Sequence, residues 1–315
     1  MTSINSGSFF HYTKSVDSLL GILHNGFRFS YCFECFDDVV AHSNDDNYLP
    51  MLRLLGKEPP SFGISFPMVC FCDIPLMRAG QHRGRYGDYC IGLDKNFTLQ
   101  QWSPIINPVF YVSSSWIDDL YHKLAIHKRS LALRVKREQK FIAEIENASQ
   151  DAIPELAEKA KQYIKTAQCF YDFGHTLEQL LRLTKPCVGK NIDGDEVCFY
   201  DEREWRVFWN YNLMSEKKSE KKEDIKYGLS REDYKKNRDA WNKTVESDYL
   251  TFGKCSPAEV ISHIIVPREE NVSDIINAIK AETHILGKEV DLFDFNIRDL
   301  LISKVTSFER IERDF

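Results

Sequence analysis

The chain has 315 residues, of which 43% are hydrophobic, 28% charged and 13% aromatic, and this balance excludes a mainly disordered protein. Its 41 Lys and Arg against 47 Asp and Glu give a formal net charge of −6, which excludes a uniformly basic nucleic-acid-binding coat. The apolar runs are all shorter than the about 20 residues that a membrane-spanning helix needs. Because the polar start also lacks a secretory signal, the sequence predicts a cytoplasmic protein without a transmembrane helix.

The start of the chain predicts a strand–helix–strand unit. Aromatic residues at 8–13 favour a strand. A helix follows, for which Ser15 supplies N-cap chemistry and Gly26 a C-cap, so that it ends near His24. A second strand covers 27–32.

The nine cysteines are odd in number and irregularly spaced, and therefore predict free thiols rather than a disulfide framework. Cys32 and Cys35 form a CxxC motif, which elsewhere is half of a zinc site or a redox pair. No second pair follows at zinc-ribbon spacing, and we predict no bound metal. Cys70 and Cys72, two residues apart in a strand-like run, are expected on one strand face as small apolar groups.

The next part of the sequence alternates short elements with turns. In chain order it predicts a short helix at 48–55, a strand at 62–72, a helical turn from Asp73, a loop at 80–87, and strands at 88–93 and 108–113. The loop is inferred from a glycine-rich, basic tract that follows neither helix nor strand periodicity.

Residues 116–183 favour a pair of long helices, broken near 148–154 by polar residues and proline. The first helix carries seven Lys or Arg against three Glu over 122–147, and residues 216–243 carry ten basic against seven acidic side chains. Each of these basic segments is either a solvated face or a phosphate-contacting surface.

The last part of the chain predicts strands again, at 197–211, 259–266 and around 300–305, with a helix at 272–286. Short strands interleaved with helices on no regular schedule predict an α+β fold with a mixed or antiparallel sheet. We expect one domain over 1–315, with the helical pair inserted at 115–185. Neither GxGxxG nor GxxxxGK[ST] occurs, which argues against a dinucleotide-binding or P-loop fold.

Two strands carry the candidate chemistry. His11 and Thr13 project from one face of the first strand, and Glu202, Glu204 and Arg206 share one face of a late strand. Two carboxylates on one face repel unless a cation is near, and Arg206 provides that cation. The structural alternatives are an exposed ion-pair ladder on an edge strand for the glutamates and a hydrogen-bonded core residue for His11.

Three segments, 10–33, 66–76 and 86–93, resemble the abortive-infection AbiGi family of phage-defence proteins, which is usually labelled an antitoxin component. The first-strand His-x-Thr, a tyrosine near a glycine-rich loop and the late Glu-x-Glu together resemble the ADP-ribosyltransferase fold. The resemblance covers most of 9–112 and 196–212 and does not extend to the helical insertion.

This resemblance implies NAD as a co-substrate. It places His11, with Thr13 in support, at the adenosine ribose, Tyr86 or Tyr89 against nicotinamide, and Glu204 at the nicotinamide ribose. Cleavage of the nicotinamide–ribose bond builds positive charge, which a carboxylate at that ribose stabilises in the transition state.

Three further residues complete the predicted site. Glu202 would position or deprotonate the nucleophile, and Tyr12 and Arg85 join the cofactor-binding set. The function predicted is an NAD-dependent ADP-ribosyltransferase toxin of a phage-defence system. Its acceptor would be nucleic acid, with RNA preferred and protein next, and a cognate antitoxin and a chaperone would be its partners.

Two alternatives to this enzyme stay open. One is a non-catalytic AbiGi-type antitoxin or binding module on the same fold. The other is an RNA-binding protein without catalysis, for which steep salt dependence of RNA binding would be the signature.

Overall fold

The protein is described here by a computed structural model. It covers residues 6–35, 63–103, 105–117, 153–209, 225–253, 255–290 and 296–314, and single residues between 119 and 143. The chain divides into two compact units. The first consists of Met1–Cys35, Gly63–Val109 and Cys198–Phe315, and the second of Phe36–Phe62 and Phe110–Val197. The predicted description as one domain with an insertion at 115–185 stays a prediction.

The elements follow one another along the chain as short strands and mostly short helices. The first part contains β1 (Ser8–Thr13), α1 (Val16–Asn25), β2 (Phe27–Arg28), β3 (Ser30–Cys35), β4 (Gly63–Cys72), a 3₁₀ turn (Leu76–Arg78), α2 (Gly80–Tyr86), β5 (Tyr89–Asp94), α3 (Lys95–Trp102) and β6 (Ile106–Pro108). The middle part contains β7 (Phe110–Val112), α4 (Ile153–Leu183), β8 (Thr184–Pro186), β9 (Val188–Lys190) and β10 (Glu196–Cys198).

The remaining part returns to the first unit. It contains a 3₁₀ turn (Phe199–Glu202), β11 (Glu204–Phe208), β12 (Lys226–Leu229), α5 (Arg231–Lys243), β13 (Tyr249–Leu250), α6 (Pro257–Val260), β14 (Ile261–Val266), a 3₁₀ turn (Glu269–Asn271), α7 (Val272–Ala281), β15 (His284–Ile285), β16 (Lys288–Glu289), α8 (Ile297–Ile302), β17 (Val305–Ser307) and α9 (Phe308–Asp314).

In the described part of the first unit, nine strands form one sheet in the order β17-β14-β5-β1-β4-β11-β6, with β3 and β12 also paired to β4. The pair β14–β17 is parallel and the neighbouring pairs are antiparallel. The predicted α+β class with a mixed sheet is therefore confirmed.

Strand β4 is the centre of this sheet and is buried along nearly its whole length. Cys72 near its end lies opposite Phe10 of β1 on one side and opposite Glu204 of β11 on the other. Further back, Met68 lies opposite Ser30 of β3. Because directly opposed residues point to the same face, this register fixes which side chains share a face.

Two apolar layers cover the sheet. On one face, Phe9, Phe71 and Val207 pack with apolar side chains of α1 and α7 and form the main core. On the other face, Phe10 and Cys72 belong to a smaller cluster that α9 closes. Both faces of the central strands are thus buried, which explains why β4 reads as a nearly continuous apolar run.

The first strand and the helix predicted at the start of the chain are confirmed, whereas the strand predicted at 27–32 is two strands, β2 and β3, which pair with β13 and β4 respectively. The Ser15 hydroxyl accepts a hydrogen bond from the Ser18 amide at the N-terminus of α1. At the other end, Gly26 has a φ of 97°, and its N–H donates to the Ile22 carbonyl. A left-handed backbone there favours glycine.

The predicted loop at 80–87 is wrong, because most of this tract is the helix α2. Three side-chain contacts hold it: Arg83 bonds to nearby Asp88 and to distant Glu312, and the ring of His82 packs on Tyr12. Such contacts outweigh the low helix propensity of glycine.

Three further strand predictions are corrected. The segment 197–211 is interrupted by a 3₁₀ turn, so only Glu204–Phe208 forms the late sheet strand. The strand at 108–113 is two short strands, one in each unit. The region near 300–305 is the end of α8 followed by β17. The helix predicted at 48–55 lies outside the described residues.

In the second unit, α4 and the described residues between 114 and 143 are helical, as predicted for the helical pair, whereas most of the predicted break lies outside the described residues. Gly174 of α4 lies against His127, and a Cβ there would be 2.4 Å from Nε2 of His127. Strand β7 pairs in parallel with β8. Within the described ranges, no helix has both the length and the apolar character that crossing a bilayer requires.

We expect Gly87→Ala to lower the free energy of unfolding by more than about 2 kcal/mol. Gly87 ends α2 with a φ of 116°, and a Cβ would lie 2.2 Å from the Thr13 carbonyl oxygen. Urea denaturation measures the change. The matched control is Gly84→Ala, where a Cβ meets nothing within 4 Å and helix propensity should add about 0.5–1 kcal/mol. Equal effects at both positions would contradict this account.

Candidate functional site

A buried ion triad occupies the face of the sheet opposite the main core. The Arg206 side chain is fully buried and lies between two carboxylates. Its Nε donates to Glu204 Oε1 at 2.8 Å and its Nη2 to Glu204 Oε2 at 3.0 Å. The same Nη2 donates to Glu34 Oε1 at 2.5 Å. The triad therefore joins β11 to β3 across the intervening strand β4.

The electrostatics of the triad follow from its burial. Burial by itself would lower the pKa of Arg206, but the carboxylates of Glu204 and Glu34 outweigh it and hold that pKa well above its ordinary value. A charge removed from water in this way is tolerated only when its partners are well placed.

This arrangement decides between the two interpretations of Glu204. The edge-ladder alternative is wrong, because β11 lies between β4 and β6 and Glu204 is buried. Both oxygens of Glu204 accept hydrogen bonds from Arg206. A carboxylate bound on both oxygens to a buried guanidinium stabilises the sheet, and this geometry favours a structural role for Glu204.

Glu202 has different partners from Glu204. It ends a 3₁₀ turn, and the following Arg203 has a left-handed backbone with a φ of 43°, so the strand alternation that was predicted to unite the two glutamates is broken. Tyr86 donates from its hydroxyl to Glu202 Oε1 at 2.7 Å, and Arg85 Nη1 lies 3.7 Å from the same oxygen. The Glu202 side chain is only 4% exposed.

Successive aromatic contacts connect Tyr86 to Tyr12 of strand β1. The Tyr86 and His82 ring centroids are 4.7 Å apart, and those of His82 and Tyr12 are 5.2 Å apart. Tyr12 in turn stacks on Phe308 of α9. Burial raises the pKa of Tyr12, so its hydroxyl stays protonated. These contacts fix the side of α2 from which Tyr86 projects.

His11 lies on the opposite face of the sheet from Glu204. Phe10 and Glu204 are both opposite Cys72 and share its face, and successive residues of β1 alternate between faces. Thr13, opposite Tyr89 of β5, is on the same face as His11. The register thus separates three predicted site residues, His11, Thr13 and Tyr89, from Glu204.

The surroundings of His11 are those of a core residue. Its ring packs against Phe27 and Phe71, with centroids 5.2 and 5.7 Å away. Its Nδ1 donates to the Cys70 carbonyl oxygen at 2.8 Å. Burial lowers the pKa of His11 and outweighs this hydrogen bond, which acts in the opposite direction, so the imidazole is neutral near pH 7.

The cysteines do not form a metal site within the described residues, and all nine are unbridged. Cys32 and Cys35 are three residues apart on β3 and therefore point to opposite faces. Cys32 instead contacts Cys70, whose hydrogen bond lowers the pKa of the Cys32 thiol.

Of the predicted site residues, the structure therefore brings together Arg85, Tyr86 and Glu202. Tyr12 contacts this group only through the ring of His82. Glu34 was missed by the sequence reasoning. The available signal was a charged residue on an otherwise apolar and aromatic strand, Ser30–Cys35, where a lone carboxylate needs a buried partner.

The fold and the site define an α+β protein with a mixed, mainly antiparallel sheet, a buried Glu–Arg–Glu triad and a separate cluster in which buried Glu202 contacts Tyr86 and Arg85. A family model described as "abortive phage resistance protein AbiGi, antitoxin" matches residues 62–266, about two thirds of the sequence. The chain belongs to this AbiGi family. No curated protein and no solved structure matches the chain.

This match corrects the main functional prediction. The predicted transferase toxin, with RNA as its acceptor, is overturned because the family is an antitoxin family. The assignment to phage defence, abortive infection and toxin–antitoxin systems is confirmed. Neither the fold nor the match tests NAD binding or enzymatic activity as such, and both stay predictions.

Removal of the positive charge of Arg206 should destabilise the fold. We expect Arg206→Met to lower the free energy of unfolding by about 3–5 kcal/mol, because two buried carboxylates lose their partner. Chemical denaturation measures this loss, with exposed Arg268→Met as the matched control. The triple variant Glu34→Gln, Glu204→Gln, Arg206→Met should be more stable than Arg206→Met alone. A loss below about 1 kcal/mol for Arg206→Met would contradict the role of the triad.

His11 should make stability depend on pH. Its folded pKa lies below the ordinary value of 6.5, so the unfolded chain binds the proton more readily, and stability falls as the pH drops below about 6.5. His11→Gln keeps a donor for the Cys70 carbonyl and should flatten this part of the profile. Unfolding curves at pH 7.5 and 5.5 provide the comparison, and identical pH slopes would show that His11 is not buried as a neutral base.

Proposed function

We propose that this chain is the antitoxin of an abortive-infection pair and that it neutralises a protein toxin by binding it, without chemistry of its own. The observation that carries the proposal is the match of residues 62–266 to the AbiGi antitoxin family. The partner is then a toxin, in place of the predicted cognate antitoxin and chaperone.

The geometry of the predicted catalytic residues supports a binding role. Catalysis requires reacting groups that converge on one substrate position. Here the register puts His11 and Glu204 on opposite faces of the sheet, and Arg206 occupies both oxygens of Glu204. The likeness of the sheet to ADP-ribosyltransferases stays a prediction, and binding does not depend on it.

Stoichiometry distinguishes binding from catalysis. The probe is the protein encoded beside this chain in the same operon, tested first for growth arrest when it is expressed alone. In a titration of that toxin in a cell extract, we expect neutralisation to stop at a fixed molar ratio of chain to toxin, because each bound chain is consumed. Gel filtration of the mixture should show one complex of that ratio.

The matched control is His11→Gln, which changes the residue predicted to hold NAD and should leave the equivalence point unchanged. Neutralisation of a large molar excess of toxin by the chain would indicate catalysis and contradict the proposal. Growth arrest by the chain expressed alone, or no neutralisation by the wild-type chain, would also overturn it.

A further inference from the structure

One exposed surface of the first unit combines residue types that are common in protein interfaces. We define the Tyr86 surface as Met77, Arg85, Tyr86 and Tyr200. Met77 is 68% exposed, Tyr200 57% and Tyr86 40%, and the Arg85 side chain is 33% exposed. Large apolar and aromatic side chains left in water on one surface mark a candidate binding site.

The fold brings these residues to one end of the sheet. Met77 follows the end of β4, Arg85 and Tyr86 end α2, and Tyr200 lies in the 3₁₀ turn before β11. The Asp73 amide donates to the Arg203 carbonyl at 3.1 Å, which ties the segment after β4 to this turn. The Tyr86–Glu202 hydrogen bond ties α2 to it as well.

We propose that the Tyr86 surface binds the toxin through carboxylate groups on the toxin, and that buried Glu202 positions Tyr86 and Arg85 for this contact. The inference rests on the proposed antitoxin function and deepens it, since it names the surface that the toxin covers. All the residues concerned lie inside the segment 62–266 that the antitoxin family shares.

The positioning role follows from the contrast in burial. Glu202 is almost fully buried, whereas the two side chains that it contacts are partly exposed. A long exposed side chain normally loses about 0.5–1.5 kcal/mol of conformational freedom when it is immobilised at an interface. Tyr86, held by its hydroxyl at 2.7 Å from Glu202 Oε1 and by the ring of His82, has lost much of this freedom before the partner arrives.

The chemistry of the partner follows from the exposed groups. Tyr, Arg and Met are enriched in protein interfaces, and Tyr and Arg are frequent hot spots. Arg85 approaches Glu202 through one nitrogen only, at 3.7 Å, and a guanidinium has five N–H donors. Arg78 beside Met77 is exposed as well. The guanidinium groups of exposed Arg78 and partly exposed Arg85 can each bind a carboxylate, on a chain whose formal net charge is −6.

The binding experiment uses the full chain and the toxin encoded beside it. Isothermal titration calorimetry should show that Tyr86→Ala weakens the dissociation constant by about 30-fold, the effect of a hot-spot residue. Arg85→Gln should weaken binding by several-fold and reduce its dependence on salt, because a charge pair is lost. The matched controls are exposed residues elsewhere in the first unit, Leu300→Ala and Arg268→Gln, which should bind as the wild type does.

A double-variant cycle tests the positioning role. Tyr86→Phe keeps the ring but removes the hydroxyl, and Glu202→Leu removes its acceptor. Each should weaken toxin binding, and Tyr86→Phe should have no further effect in the Glu202→Leu background. Independent, additive effects of the two substitutions would overturn this part of the proposal.

The outcomes separate this inference from the function on which it rests. If the wild-type chain does not bind the toxin, the antitoxin function fails and the inference fails with it. If it binds and Tyr86→Ala and Arg85→Gln bind equally well, the antitoxin function stands and the surface is wrong. If the variants keep toxin binding but lose a self-associated form, the surface belongs to a second copy of the chain. If they keep toxin binding but lose RNA binding, the surface belongs to nucleic acid. Either result would overturn the inference.

Discussion

The buried guanidinium of Arg206 constrains the register of the strands that it joins. Its hydrogen bonds reach Glu204 on its own strand, β11, and Glu34 on β3. Because β4 lies between these two strands, all three must keep their register for the charges to stay paired. A shift by one residue would turn Glu204 and Arg206 to the other face, into the aromatic core. The triad thus fixes the register of these strands.

Much of the first unit could be predicted from local patterns. The capping residues Ser15 and Gly26 mark α1 correctly, and the apolar run at 62–72 marks the central strand. The rest depends on contacts that local patterns do not contain. The backbone of Arg203 turns left-handed and separates Glu202 from Glu204, and α2 forms in a glycine-rich tract because Arg83 and His82 find distant partners.

In the candidate site, the sequence predicted the types of residue present but not where their side chains lie. A first-strand histidine, a tyrosine and a late glutamate pair are present as the predicted motif requires, but a short motif does not specify the face to which each side chain points. The pairing of Phe10 and Glu204 with Cys72 puts His11 on the face opposite Glu204. There its polar group serves a backbone carbonyl, as buried polar groups generally must.

The two glutamates illustrate how one sequence pattern can serve two physical purposes. Glu204 neutralises a buried cation and stabilises the fold, whereas Glu202 is buried beneath side chains that reach the solvent. A protein that acts by binding needs a rigid surface more than it needs a reactive group, because each side chain ordered in advance removes an entropic cost of association. A buried carboxylate that holds an exposed tyrosine and a partly exposed arginine meets that need, and the neighbouring triad keeps β11, the strand that follows Glu202, in place.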